Sequence, residues 1–184
     1  MAAQQKKMDA IALLKEDHRK VEDLFEQFEK AREADRKEKL AKQICTELSI
    51  HTMIEEEIFY PACAGQVKDE DLLEESYVEH DGAKVLVAEL MQGDPDNEFY
   101  DAKVKVLSED IKHHVKEEEQ RSEGLFAQAK AAGLDVDALG ERLMARKEEL
   151  KERFAEGQLP PPETRSFTGH ELVQGAPVDA GTAR

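Results

Sequence analysis

Apolar residues recur every three or four positions in five stretches of the chain, which is the spacing of one buried face of an α-helix. The predicted helices cover residues 8–31, 37–62, 70–92, 96–132 and about 136–156. In the break Gly93-Asp94-Pro95, Asp94 can cap a helix and Pro95 can begin one. The pattern predicts an all-α protein: an up-down-up-down four-helix bundle with an extra C-terminal helix and a flexible tail.

The predicted helices divide the chain into three parts. Residues 1–132 form the four-helix bundle, residues 133–156 carry the additional helix, and residues 157–184 form the tail. The flexible tail is predicted from Pro160-Pro161-Pro162 and from the Gly-, Ala- and Thr-rich sequence that comes after them. A chain of 184 residues is long enough for one full core.

Ionisable residues interrupt the apolar faces of the first four predicted helices. Each face includes one histidine, and in two helices a glutamate follows that histidine by four residues, one turn further along the same face. A buried ionisable group is costly unless it has a partner. The side chains predicted to point inward are His18, His51, Glu55, His80, His114 and Glu118. His113 lies about 100° away from His114 on the helix and is predicted to face solvent or a helix flank.

The spacing of the four inward histidines predicts that they lie at one level of the bundle. Successive histidines are 33, 29 and 34 residues apart. The midpoints fall at residues 34–35, 65–66 and 97, in or beside the predicted turns. Equal distances on either side of each turn bring residues to the same depth in an up-down bundle.

This set of six side chains predicts a metal site. A lone inward histidine is usually a hydrogen-bonded core residue, and a lone His-x-x-x-Glu is usually a surface pair. Four imidazoles and two carboxylates at one depth have few hydrogen-bonding arrangements without a cation. Six ligands are too many for one four-coordinate structural zinc; the mixed donors suit iron or manganese, with zinc possible. Two carboxylates from different helices can each bridge two ions and leave room for an oxo or hydroxo bridge and a small ligand.

Composition limits the binding partners and the cellular compartment that we expect for this protein. The formal net charge of −16 argues against nucleic acid or an anionic membrane as a partner. We expect no secretory signal, and the sequence contains no apolar run of about 20 residues. Cys45 and Cys63 are predicted on one helix, about 27 Å apart, so they cannot form a disulfide with each other. We therefore expect a cytoplasmic protein, either a monomer or a homodimer.

The order of these residues resembles the hemerythrin-like, or HHE cation-binding, family over residues 8–130. The resemblance implies a non-haem centre of two iron ions, oxo- or hydroxo-bridged, in preference to manganese or zinc. It implies a small ligand such as O2, H2O2 or NO and a role in stress response. It gives ligand roles to the six residues named above. The residues that carry it are His18, His51-x-x-x-Glu55 with Glu56 and Tyr60-Pro61, Glu79-His80, and His113-His114-x-x-x-Glu118.

One position departs from the oxygen-carrying members of the family. Lys84 stands four residues after His80, where these proteins are expected to have a further histidine. The lysine can pair with a carboxylate, stabilise a bound anion, or extend out to solvent. A ferritin-like site is disfavoured because no glutamate stands three residues before any of the four histidines. A non-enzymatic iron store or an iron/oxygen sensor is the alternative function, and a purely structural helical protein is a third.

Two further expectations concern polar residues near the predicted site. Glu56 and Glu117 are out of phase with the inward faces and are predicted to be solvated. Tyr77 lies one turn before His80; it is predicted as a core residue, with a hydrogen bond to a metal ligand as the alternative.

Overall fold

The computed structural model describes residues 8–155 and 163–167, and the regular secondary structure in these ranges is helical with no β-strand. This confirms the predicted all-α fold. The helices are α1 (Ala10–Lys30), α2 (Ala34–Ile54), a π-helical segment (Glu55–Phe59), α3 (Tyr60–Cys63), α4 (Glu70–Gln92), α5 (Tyr100–Glu119), α6 (Leu125–Ala131) and α7 (Val136–Ala155).

Four long helices form the bundle that carries the site. α1 packs against α2, α2 against α4, α4 against α5, and α5 back against α1. Capping side chains begin two of them: Asp9 accepts a hydrogen bond from the Ala12 amide at 2.7 Å, and Asp69 accepts one from the Leu72 amide at 3.2 Å.

The predicted helix over 96–132 is wrong at two points. Residues 94–99 form a turn in which Asp94 accepts a hydrogen bond from the Asp96 amide at 2.9 Å, so α5 begins only at Tyr100. The chain then breaks after Glu119 and resumes as α6. A Cβ at Gly124 would lie 2.6 Å from the Glu118 carbonyl oxygen, so the break turns too tightly for a side chain there.

α7 covers one side of the bundle. It packs against α1, α2 and the π-helical segment through the buried Leu139, Leu143 and Leu150. At Gly140 the backbone of α7 approaches the backbone just before α1 closely. A Cβ added to Gly140 would lie 2.4 Å from the Met8 carbonyl oxygen. The helix predicted over 133–156 is thus present, while the division of the chain into three units stays a prediction.

Only residues 163–167 of the predicted tail belong to the described part of the chain, and they contact α4. The remainder, 157–162 and 168–184, lies outside the described residues, so its flexibility stays a prediction. None of the helices in the described ranges combines the length and apolarity needed to cross a bilayer.

The core consists of two apolar clusters with a polar layer between them. One cluster includes Leu14, Ile54 and Leu125, and the other includes Val21 and Leu48. The four inward histidines of the sequence pattern fall in the layer between these clusters. The bundle therefore encloses a polar centre that is shielded by apolar side chains on both sides.

Candidate metal centre

Four helices each bring one histidine to the centre of the bundle. His18, His51, His80 and His114 are all between 1% and 4% exposed. They form two pairs, with 3.0 Å between Nε2 of His18 and His51 and 3.2 Å between Nε2 of His80 and His114. The predicted convergence of the four imidazoles is therefore present, while their role as ligands stays a prediction.

Two buried glutamates lie between the histidine pairs. Oε2 of Glu55 is 3.1 Å from His51 Nε2 and 3.4 Å from His80 Nε2. Oε2 of Glu118 is 3.4 Å from His18 Nε2 and 3.5 Å from His114 Nε2. Each carboxylate thus approaches one histidine of each pair. The result is two groups of residues that have the donor types and the spacing to hold a cation. They are His18, His51, Glu55 and Glu118, and Glu55, His80 and His114.

The electrostatics of the two glutamates fit a bound cation. Both are at most 1% exposed, and within the described residues neither oxygen of Glu55 nor Oε2 of Glu118 has a hydrogen-bond partner. Burial, and then the nearby charges of Glu118 and Asp17, raise the pKa of Glu55 well above its usual value. Burial also opposes ionisation of Glu118, but His114 and His18 outweigh it and lower that pKa. A metal ion would supply the positive charge that Glu55 lacks.

Burial favours the neutral form of two of the imidazoles, which is the form that binds metal. Burial, and then the proximity of His114, lower the pKa of His80 well below its usual value. Burial also lowers the pKa of His51. For His18, burial is outweighed by its contacts with Glu118 and Glu119, and its pKa is raised. A neutral imidazole offers a lone pair on one nitrogen and a proton on the other.

The second ring nitrogen of each histidine faces a carboxylate outside the central layer. Nδ1 of His18 lies 2.8 Å from Glu119, Nδ1 of His80 3.1 Å from Glu56, and Nδ1 of His114 2.7 Å from Glu79. With the proton on Nδ1, the Nε2 lone pairs point toward the centre, as metal ligation requires.

His51 also faces a carboxylate with its second ring nitrogen, but at a longer distance. Its Nδ1 lies 3.6 Å from Oδ2 of Asp17, beyond hydrogen-bond distance. Neither atom has a hydrogen-bond partner elsewhere in the described residues. Asp17 was missed by the sequence pattern because it lies beside, not on, the inward face of the first helix.

The π-helical segment places two successive glutamates in the interior. The Tyr60 amide donates to the Glu55 carbonyl five residues back, and Pro61 has no amide hydrogen to continue an α-helical ladder. The prediction that Glu56 is solvated is wrong: it is 6% exposed and faces His80. A π-helical turn is rare, so helical phase alone could not locate this side chain.

Tyr60 is a further site residue that the sequence reasoning missed. Its hydroxyl donates to Glu118 Oε1 at 3.0 Å and lies 3.1 Å from His80 Nε2. Tyr77, predicted as a core residue with a ligand hydrogen bond as the alternative, packs edge-on against the Tyr60 ring with 5.1 Å between centroids. The only sequence signal for Tyr60 was its place in the Tyr60-Pro61 part of the resemblance.

Lys84 pairs with carboxylates beside the centre. Its Nζ lies 2.7 Å from Glu56 Oε1 and 3.1 Å from Asp81 Oδ1. Of the three roles open for this lysine in the sequence, the structure places it in the first, as a carboxylate partner. His113 is 63% exposed at its side chain, as predicted.

Comparison with known proteins identifies the family. The model of the hemerythrin HHE cation-binding domain matches residues 9–125. The chain belongs to this family. A similar fold occurs in the crystal structure of a hemerythrin HHE cation-binding domain-containing protein from Mycobacterium kansasii, with 22% sequence identity and a TM-score of 0.67. That match covers 81% of this chain and 91% of the other. Curated protein sequences gave no match.

Proposed function

We propose that this protein is a non-haem di-iron protein that binds or reacts with O2, H2O2 or NO. The observation that carries the proposal is the position of Glu55 and Glu118, each within 3.5 Å of one histidine from each pair. Each of these carboxylates could be shared between two ions. His18 and His51 would hold one ion, and His80 and His114 the other.

The donor set supports iron as the resident metal. Four imidazoles and two carboxylates are the mixed nitrogen and oxygen ligands that suit iron, whereas magnesium and calcium prefer oxygen alone. Four protein donors per ion leave positions open for a small molecule. When bound, two iron ions would supply those open positions and one-electron redox chemistry.

Burial supports a small ligand. Phe126 stacks on the His18 ring with 5.8 Å between centroids, and Phe59 packs edge-on against Phe126 at 5.5 Å. Together with the near-complete burial of the histidines, this apolar wall keeps bulk water and larger molecules from the centre. An organic substrate would have to separate the helices to reach the Nε2 atoms. A diatomic molecule or peroxide would not.

Several residues of the chain would hold protons around such a ligand. The Tyr60 hydroxyl donates to Glu118 within the centre, and its pKa is raised well above the usual value by burial and by Glu118. It therefore keeps its proton at physiological pH. With protons on Nδ1, His18, His80 and His114 would donate them to Glu119, Glu56 and Glu79.

The proposal includes a cytoplasmic role in stress defence. The cytoplasmic location is supported by two free, buried thiols, Cys45 and Cys63, which suit a reducing compartment. The second candidate function is an iron store or an iron/oxygen sensor without turnover. One observation favours the sensor: side chains from α7 and from residues 163–167 contact the carboxylates beside the centre, so a change at the metals has a path to the surface.

Anaerobic loading with Fe²⁺ tests the proposal. Wild-type protein should hold two iron ions per chain and show a charge-transfer absorption band after exposure to O2, with a further change on adding H2O2 or NO. His114→Ala should lose iron, while His113→Ala, its exposed neighbour, should retain it. Wild-type protein that binds no iron, or equal binding by both variants, would overturn the proposal. Repeated consumption of peroxide separates an enzyme from a store or sensor.

A further inference from the structure

Two of the four carboxylates behind the histidines are contacted by cations from beyond the family match, which ends at residue 125. Lys147 of α7 forms an ion pair with Oδ1 of Asp17. Arg165 donates from Nε to Oε2 of Glu56 at 3.1 Å. The other two carboxylates, Glu119 and Glu79, have partners within the bundle: Arg19 for Glu119, and His113 for Glu79.

α7 delivers Lys147 to a buried position. Lys147 is 8% exposed and Asp17 is 5% exposed, so the two charges meet largely out of water. The close approach of Gly140 to the backbone around Met8 fixes this helix against α1. Removing one partner of a buried ion pair leaves the other uncompensated, which is strongly unfavourable. The orientation of Asp17, and of the free oxygen that faces His51, therefore depends on Lys147.

Residues 163–167 are fastened to α4 beside His80. Asp81 is fully buried and accepts hydrogen bonds from the amides of Arg165 at 2.8 Å and Ser166 at 2.6 Å, and from the Ser166 hydroxyl at 2.7 Å. Lys84 donates to the Glu163 carbonyl at 2.9 Å. The Arg165 guanidinium also lies 5.6 Å from the centre of the Tyr77 ring. These contacts hold Arg165 in place against Glu56.

We propose that Lys147 and Arg165 are positioning residues for the metal centre, acting through Asp17 on His51 and through Glu56 on His80. The inference rests on the metal centre of the proposed function. Carboxylates behind ligating histidines fix the imidazole orientation, and their loss typically costs about 10–100-fold in metal affinity. The segments beyond the family match thus control one histidine of each pair, and each segment acts on a different ion.

The first test measures metal release from full-length protein loaded with Zn²⁺, a redox-silent probe. Lys147→Met should speed the release of one of the two ions to a chelator by about tenfold, giving two kinetic phases. Lys151→Met, one turn further along α7, should release both ions at the wild-type rate. Arg165→Gln should show a smaller effect, because Lys84 also contacts Glu56.

Double mutants separate positioning from general loss of stability. If Lys147 acts through Asp17, Lys147→Met should add nothing to the release rate in an Asp17→Asn background. Glu56→Gln should likewise abolish the effect of Arg165→Gln. Arg165 is 56% exposed at its side chain, so its variant should fold even if Lys147→Met does not. In the Zn²⁺-loaded protein, the Nδ1 proton of His51 should exchange faster with water in Lys147→Met, while that of His114 is unchanged.

The outcomes distinguish the two proposals. Wild-type protein that holds no metal would remove the proposed function and this inference with it. If wild-type protein holds two ions and both variants release them at its rate, only the positioning role is overturned. Additive effects in both double mutants would also contradict it.

Discussion

The hydroxyl of Tyr60 donates a 3.0 Å hydrogen bond to one oxygen of Glu118, while the other oxygen of that carboxylate lies between His18 and His114. One side chain therefore connects the π-helical region to the histidine layer. The tyrosine is fully buried, and its ring stacks on His80 with 5.2 Å between centroids. The packing of the Tyr60 ring and the hydrogen bond from its hydroxyl can be separated by removing the hydroxyl oxygen alone.

Tyr60→Phe should preserve the ring contacts and lower the free energy of unfolding of metal-free protein by about 1–3 kcal/mol, because a buried carboxylate oxygen loses its donor. Zn²⁺-loaded protein should lose less, since the cation compensates the charge of Glu118. Urea unfolding with and without Zn²⁺ measures both values. Tyr77→Phe is the control and should stay within about 0.5 kcal/mol of wild type. Equal losses in the two variants would contradict a specific role for the Tyr60 hydroxyl.

Glu55→Gln should leave the stability of metal-free protein undiminished and weaken only the metal-loaded protein. Because the pKa of Glu55 is raised well above its usual value, a neutral amide should not lower the stability of the metal-free protein. It should, however, abolish the stabilisation by metal, which for wild-type protein is about 2.7 kcal/mol at a free metal concentration one hundred times the Kd. Thermal unfolding with and without Zn²⁺ compares the variant with Glu74→Gln, an exposed control. An undiminished metal effect in Glu55→Gln would rule out this carboxylate as a ligand.

The layer of histidines was predictable because it depends on local helical phase and on short turns. His18, His51, His80 and His114 interrupt apolar faces, and near-equal spacing about each turn brings them to one depth. The same reasoning predicts that the side chain of His113 lies outside the bundle interior. These predictions hold because each concerns a side chain that points toward the axis of a regular helix.

The residues that were missed lie where this phase argument does not apply. Asp17 is buried because α7, more than 100 residues later, covers its side of α1. Glu56 is buried by the π-helical segment and by Arg165. The fourth predicted helix is too long because its apolar positions continue through the break after Glu119. These positions depend on long-range packing and on irregular backbone, and the periodicity of apolar residues predicts neither.

Two helical glycines should respond in opposite directions to alanine. Gly140→Ala should lower stability by about 1–3 kcal/mol, because the new Cβ would meet the backbone near Met8 and push α7 outward. Gly82→Ala, on α4, has nothing within 4 Å of the added Cβ and should raise stability by about 0.5–1 kcal/mol. Thermal unfolding of the pair measures both changes. A stabilising Gly140→Ala would be incompatible with the close approach of α7 to α1.

Both thiols should resist alkylation in the folded protein. Burial raises the pKa of Cys45 and of Cys63 to about 12, from an ordinary value of 9.0. At pH 8 the folded protein should react with iodoacetamide far more slowly than urea-unfolded protein, measured by mass spectrometry. The folded state also holds these protons more tightly, so stability is unaffected below pH 9 and falls as pH rises from 9.0 toward about 12. Equal alkylation rates would show that the thiols are accessible.

The wide turn at Glu55–Phe59 holds one residue more than an ordinary α-helical turn, because its hydrogen bond closes over five residues and not four. Deleting one of these residues would restore an α-helical turn and leave the helix before it and the helix after it facing nearly the same directions as now. His51, upstream, and the phenol of Tyr60, downstream, would keep their places, while Glu55 and Glu56 could no longer both lie in the interior. A shorter polypeptide here would therefore preserve the helix direction and lose one interior carboxylate.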